Sequence, residues 1–385
     1  MRLRSPGLLA LSMILLAALG NTSRAEELTE EEAALQLHGF VSQGALWSTD
    51  NNFLANTERG SLEFAEAAIA VSKQLDSRLR IGFQLFARDL GPVGNYNAKF
   101  DWFSIDYRWR DWLGVRIGRN KLPYGLYNDS SDIDAAHSVV LLPQSVYSIT
   151  SRDFLLAETG VELYGYKRLG DFGALDYRAY GGTIYLTLQG GPGITVQDVN
   201  VPWIAGARVM WETPLAGLRV GGSVLAGEID ADLTQANTPL NYELHDAQWI
   251  TSLEYAVDPF LFAVEYGRGY TDTKVLQFPP GMNEAKATAE YGYALAAYRA
   301  LPWLQPTLYY SMFIPNVDKR IGRESHRYDA AAALRFDITP SFLFKLEAHS
   351  MRGTAGLDPA LNDGISPAGL ANKWYLFLAK TTVYF

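Results

Sequence analysis

Charged and polar side chains share one alternating parity in several stretches of this chain. Between Leu79 and Asp89, Arg80, Gln84 and Arg88 alternate with Leu79, Ile81, Phe83, Leu85 and Ala87. Further on, Arg327, Asp329 and Arg335 oppose Tyr328, Ala330, Ala332, Leu334 and Phe336, and Lys345, Glu347 and His349 oppose Phe342, Phe344, Leu346 and Ala348. The same parity adds Arg108, Arg116, Arg178, Arg208 and Arg219 to the basic set, and Glu66, Asp106, Glu162, Asp176, Glu254 and Glu265 to the acidic one. So many ions in a dry core would cost several kcal/mol each. Around a water-filled bore they stay hydrated, and their chemistry is the selection of ions and polar solutes.

Covalent chemistry finds little support. The histidines (His38, His137, His245, His326, His349) are scattered, none in an HExxH pattern and none matched to a Ser at G-x-S-x-G spacing. Cysteine is absent, which excludes disulfides, thiolate metal sites and a Cys nucleophile. No phosphate-cradling glycine loop occurs, and neither a cofactor nor a metal is expected.

A second charged group lies in 120–158, the longest stretch without strand alternation. It carries Lys121, Asp129, Asp132, Asp134, His137, Arg152, Asp153 and Glu158 around an apolar centre, "VVLLPQSVY" (139–147). Such a centre fits a loop folded against an inner wall better than the alternative, a surface loop folded on itself. Acidic loop groups facing a basic wall would set a transverse field across a constriction. Arg80, Arg88, Arg116 and Arg335 point to weak anion or mixed selectivity. The basic cluster "DKRIGRESHR" (318–327) reads as a solvated loop, with anionic solutes or lipopolysaccharide phosphate as the alternative.

Strands must position these groups, because the apolar recurrence is two rather than three and four. Strands are expected near 35–47, 61–75, 78–89, 99–109, 113–119, 159–169, 174–185 and 202–212. Eight more are expected near 217–229, 244–256, 259–270, 286–300, 303–313, 325–337, 340–351 and 372–385. Short Asp/Gly/Pro turns follow the even strands, and longer loops such as 90–98 and 188–200 follow the odd ones. Sixteen strands with that alternation predict an all-β, antiparallel transmembrane barrel over 35–385, with short periplasmic turns and long extracellular loops. The last strand, "KWYLFLAKTTVYF", must then seal against the first. Trp47, Trp109, Trp112, Trp203, Trp211, Trp303 and Trp374 sit at strand ends, where aromatic girdles form.

The remaining segments are short. Arg2, Arg4, the apolar run Leu8–Leu19 and "SRA" read as a signal peptide over 1–25, followed by an acidic periplasmic lead-in over 26–34. Removing Arg2, Arg4 and Arg24 leaves 30 basic against 42 acidic residues, a formal charge of −12. That balance argues against a nucleic-acid partner.

The opening "HGF" (His38–Phe40), the stretch "VRIGRNKLPYGLYND" (115–129) and the terminal Phe385 resemble the Gram-negative outer-membrane porins, in the branch of phosphate-selective and related substrate-specific porins. The resemblance implies an outer-membrane location, a third loop that narrows the barrel, homotrimers, and a terminal aromatic residue, Phe385, read by the barrel-assembly machinery. It implies passive diffusion of small polar or anionic solutes, with outer-membrane lipid and lipopolysaccharide as surroundings. The interleaved Asp and Glu depart from a phosphate-specific ladder of Arg and Lys. A barrel hydrolase and a plugged structural or adhesive barrel stay open as alternatives.

Overall fold

The computed structural model describes residues 34–186, 194–235, 238–277 and 281–385. The expected signal segment and the lead-in up to residue 33 lie outside the described residues, as does the side chain of Asp153. The first eight strands are β1 (Gln36–Ser48), β2 (Phe64–Gln74), β3 (Leu79–Leu90), β4 (Lys99–Arg110), β5 (Leu113–Lys121), β6 (Ala157–Arg168), β7 (Ala174–Thr183) and β8 (Ile194–Glu212). The second eight are β9 (Leu218–Gln235), β10 (Thr238–Val257), β11 (Phe260–Gln277), β12 (Gly281–Tyr298), β13 (Leu304–Ile314), β14 (Arg327–Thr339), β15 (Phe342–Gly353) and β16 (Lys373–Tyr384). Each pairs antiparallel with its chain neighbours, and β1 pairs with β16, so the sheet closes. All sixteen expected strands are present.

The seam pairs the last strand with the first. Phe40 faces Tyr384 at one end of it and Ser48 faces Leu376 at the other. Gly39 and Phe385 then exchange both backbone hydrogen bonds at 3.0 Å. Without this pairing two rows of backbone donors and acceptors would face hydrocarbon.

Strands β8–β12 run past their expected ends. β8 begins at Ile194 rather than near 202, and β10 spans 20 residues. Part of the loop expected over 188–200 is therefore strand. The outward faces of the extensions are charged: Glu228 lies opposite His245, and Glu243 opposite Asp230 and Lys274. Charges there cannot sit in hydrocarbon, so this part of the wall rises beyond it. The alternation weakens where both faces are polar, which made these stretches read as loop.

Exposed Trp47 stacks on Phe377 at 5.2 Å, and Trp109 meets Trp112 at 5.6 Å across a short turn, as expected of girdles. Trp374 departs from that expectation. It points inward, fully buried, packs on Phe53 and donates to the Gly353 carbonyl at 3.2 Å. Its parity in β16 is inward, and parity overrides position at a strand end.

The outer face at mid-height is apolar, with Leu308 on β13 63 % exposed. Leu308→Arg is expected to destabilise the barrel by about 2–4 kcal/mol in lipid bilayers, read by denaturant unfolding. An unchanged midpoint would mean that this face does not contact hydrocarbon.

Candidate functional site: the loop inside the barrel

The long connection between β5 and β6, residues 122–156, crosses the barrel interior. It enters at Gly125, whose φ of +60° lies in the left-handed region that favours glycine. A Cβ there would stand 2.6 Å from the Tyr147 hydroxyl and 2.8 Å from Glu265 Oε1. The neighbouring amides attach the loop to the wall: Gly125 N–H donates to Ser223 Oγ and Leu126 N–H to Glu265, each at 3.0 Å. The Tyr147 hydroxyl donates to the same Glu265, and Tyr127 to Glu254 at 2.9 Å. On the opposite wall Glu347 accepts from the Val140 and Leu141 amides at 2.5 and 3.2 Å.

Apolar contacts accompany both attachments. Leu122, Tyr124 and Leu126 share a buried cluster with Ile204, Leu225 and Ile250 of the wall. Val140 and Leu141 join Phe64, Leu90, Trp374 and Leu376 in a second one. The inner face is therefore not uniformly polar, in keeping with a loop whose apolar centre packs against it. Inward positions such as Tyr291, Tyr293 and Leu295 are apolar because they bury the loop's own apolar residues.

Three sets of ion pairs hold the loop's carboxylates. Asp134 lies 2.9 Å from Lys345 and 3.3 Å from Lys380, and accepts from Thr382 at 2.6 Å. Lys380 also bonds Glu66 at 2.7 Å, which pairs with Arg88 at 2.5 Å. Asp132 pairs with Lys121 and accepts from Gln84 at 2.6 Å, while Arg152 reaches Asp101 at 2.8 Å. Asp129 sits 3.2 Å from Arg178 and 3.4 Å from Arg208. Acidic loop groups do face a basic wall, as expected, but as contact pairs rather than as an open transverse field.

The expected lining residues therefore divide. Arg80, Asp106, Arg116 and Arg178 face a cavity of about 750 Å³ on the short-turn side, together with Lys121 and Asp129. Arg208, Arg178 and Arg219 border a smaller space of about 230 Å³ beside it. Arg108 is exposed at the short-turn end. Arg88, Arg327, Asp329, Lys345 and Glu347, expected in contact with the bore, are buried beneath loops. Arg327 donates to the Gln144 and Ala355 carbonyls, and Asp329 and Glu347 bracket His349 at 3.0 and 2.9 Å. Arg335 is tied to the Ala135 and His137 carbonyls at 2.7 and 3.0 Å. Lys121 and Glu158 belong to β5 and β6 rather than to the loop, and buried Glu158 accepts from Asn120 at 3.0 Å. In the cluster 318–327, Arg320 pairs with Glu290 at 2.7 Å and Arg323 donates to the Leu370 carbonyl at 2.6 Å.

Several participants were not anticipated. Lys380 and Thr382 follow from simple parity in β16. Asp101 does not: the register between β3 and β4 shifts at this residue, and the bulge turns an outward-parity position inward. Trp102 also points inward and donates from Nε1 to Gln84 at 3.2 Å.

No protein-family model and no curated protein matches the sequence. Solved structures match in fold. Outer-membrane expressed OmpT of Vibrio cholerae is similar with a TM-score of 0.60 at 11% identity, over 94% of this chain and 100% of that one. Salmonella typhi OmpF in complex with daunomycin gives 0.60 at 10% identity, over 94% and 100%. An anion-selective porin from Comamonas acidovorans gives 0.55 at 12% identity, over 91% and 99%. The chain thus shares the barrel fold of outer-membrane porins.

Titration of the loop follows from its burial. Burial alone would push Asp134 up, but Lys345 and Lys380 outweigh it and hold the carboxyl well below the usual carboxylate range. Lys121 and Arg152 do the same for Asp132 against its burial. His137 is lowered from 6.5 to about 4, chiefly because burial disfavours its charged form. An undocked loop binds the His137 proton near 6.5 and a docked one only near 4, so acidification favours release. The protection of the Val140 and Leu141 amides, corrected for their intrinsic exchange rates at each pH, is expected to be constant above pH 6.5 and to fall as pH drops towards 4. Stronger acid then removes the contributions of Asp132 and Asp134. His137→Gln should abolish the first phase alone, and a flat profile in the unaltered protein would count against this account. Asp134→Ala leaves buried Lys345 without a carboxylate, while Lys380 keeps Glu66, and is expected to cost about 3–5 kcal/mol in unfolding measurements.

Proposed function

We propose that this chain is a porin of the Gram-negative outer membrane, a passive pathway for small hydrophilic solutes with a weak preference for anions. The observation that carries this reading is the cavity of about 750 Å³ inside the closed barrel, walled by Arg80, Arg116 and Arg178. The Arg80 guanidinium is bonded to the neutral Gln36 and Ser72 at 3.1 and 2.7 Å, so its charge is not spent on a carboxylate there. Arg116 is shared between Asp106 and Glu162 at 2.9 and 2.7 Å. Fixed cations beside water favour anion entry. The likeness to an anion-selective porin supports the same direction.

Phosphate specialisation gains no such support, because Asp106, Asp129 and Asp176 interrupt the arginines. Homotrimers are part of the proposal. A structure of Vibrio cholerae OmpT in trimer form, at TM-score 0.51 and 10% identity, is among those sharing the fold. No catalytic step is assigned, and Phe385 is proposed as the assembly signal. One observation favours a second reading, a plugged barrel: the loop is packed by apolar side chains on both walls.

Single-channel recording across a salt gradient separates the two. Discrete conductance steps with a reversal potential on the anion side are expected. Replacing Arg80 and Arg178 with Glu should move that potential towards cations. Silent bilayers with folded protein would favour the plug, and cation preference in the unaltered protein would overturn the selectivity.

A further inference from the structure

The outward surface of β11–β16 is not smooth. It holds an open apolar trough of about 710 Å³. Its floor is Ala330 and Ala332 of β14 beside Ser350 and Ala348 of β15, paired Ala330 with Ser350 and Ala332 with Ala348. Large side chains form the rims: Tyr310 and Leu308 on β13, Tyr375 and Phe377 on β16. Packing two such small pairs between bulky neighbours leaves room for a chain of methylenes against the sheet.

The next outward positions towards the long-loop end are Arg352 on β15 and Lys373 on β16, directly opposite each other. Both are exposed, and neither has an ion-pair partner among the described residues. Like charges in directly opposed positions destabilise a sheet. The row continues through Tyr328 and Met312, which bring no carboxylate. A bound anion would relieve this repulsion with charge-assisted hydrogen bonds from both cations.

We infer that the trough and the cation pair above it seat a phosphorylated, multiply acylated glycolipid of the lipid A type. Its phosphate lies between Arg352 and Lys373, and its acyl chains lie on the alanine floor. The cations stand at the long-loop end, so the lipid belongs to the leaflet on that side. The inference rests on the barrel spanning a membrane and not on its conducting.

The test uses the full chain in detergent, with diphosphoryl lipid A, its dephosphorylated form and phosphatidylglycerol as separate probes, read by native mass spectrometry. Diphosphoryl lipid A is expected to be retained, and the dephosphorylated form to bind about tenfold more weakly, as loss of a charge-assisted contact implies. Arg352→Ala with Lys373→Ala should produce a similar loss. Ala332→Leu with Ala348→Leu should weaken binding with both cations intact. A heat-modifiability gel establishes folding, and Ser350→Leu replaces the alanine variants if they fail it. Equal retention by all variants, or of phosphorylated and dephosphorylated lipid, overturns the site. Equal retention of phosphatidylglycerol overturns the glycolipid assignment. Conductance of the same preparations keeps the readings apart: binding without current sinks the channel alone, and current without binding sinks this site alone.

Discussion

Hydrocarbon offers no hydrogen bonds, and a sheet placed in it must therefore have no edge. That constraint is met at the seam where β1 receives β16, ending in the paired bonds between Gly39 and Phe385. Closure fixes the alternation: once the sheet is a cylinder, every second residue must face the interior, whatever its chemistry. The outward set is accordingly apolar at mid-height, and the inward set inherits the charges.

The interior then has its own problem, which water solves only in part. Charges near the short turns, such as Arg80 and Arg116, border an open cavity that water can fill. Those beneath the loop lose that hydration and find fixed partners instead. Asp134 is the centre of this arrangement, joined to Lys345, Lys380 and Thr382, with Glu66 and Arg88 completing the chain of pairs. A network of this kind is a poor source of net stability but a strong determinant of position, because any misplacement leaves a buried charge alone.

The loop is held by two kinds of force with different reach. Backbone amides of Leu126, Val140 and Leu141 give direction, each aimed at a wall carboxylate. Apolar clusters on both sides supply non-directional burial. Together they fix the loop as a span across the barrel interior, attached to the wall at both sides. The cavity on one side of that span and the lipid-facing trough outside the sheet are separate surfaces of the same barrel.

Alternation of two was enough to recognise the sixteen strands, their order and the inward parity of residues such as Arg116 and Lys345, because that periodicity is local. The apolar centre 139–147 likewise signalled a loop that must bury itself. Which wall it meets was not legible. Asp134 and Lys345 are 211 positions apart, and only closure brings them together. Nor was the inward turn of Asp101, since a bulge shifts parity without a distinctive residue. The division of the arginines into hydrated and buried sets also belongs to the tertiary structure, because exposure depends on where the loop lies. Local periodicity thus determined the cylinder and the facing of its side chains, and long-range contact decided what fills it.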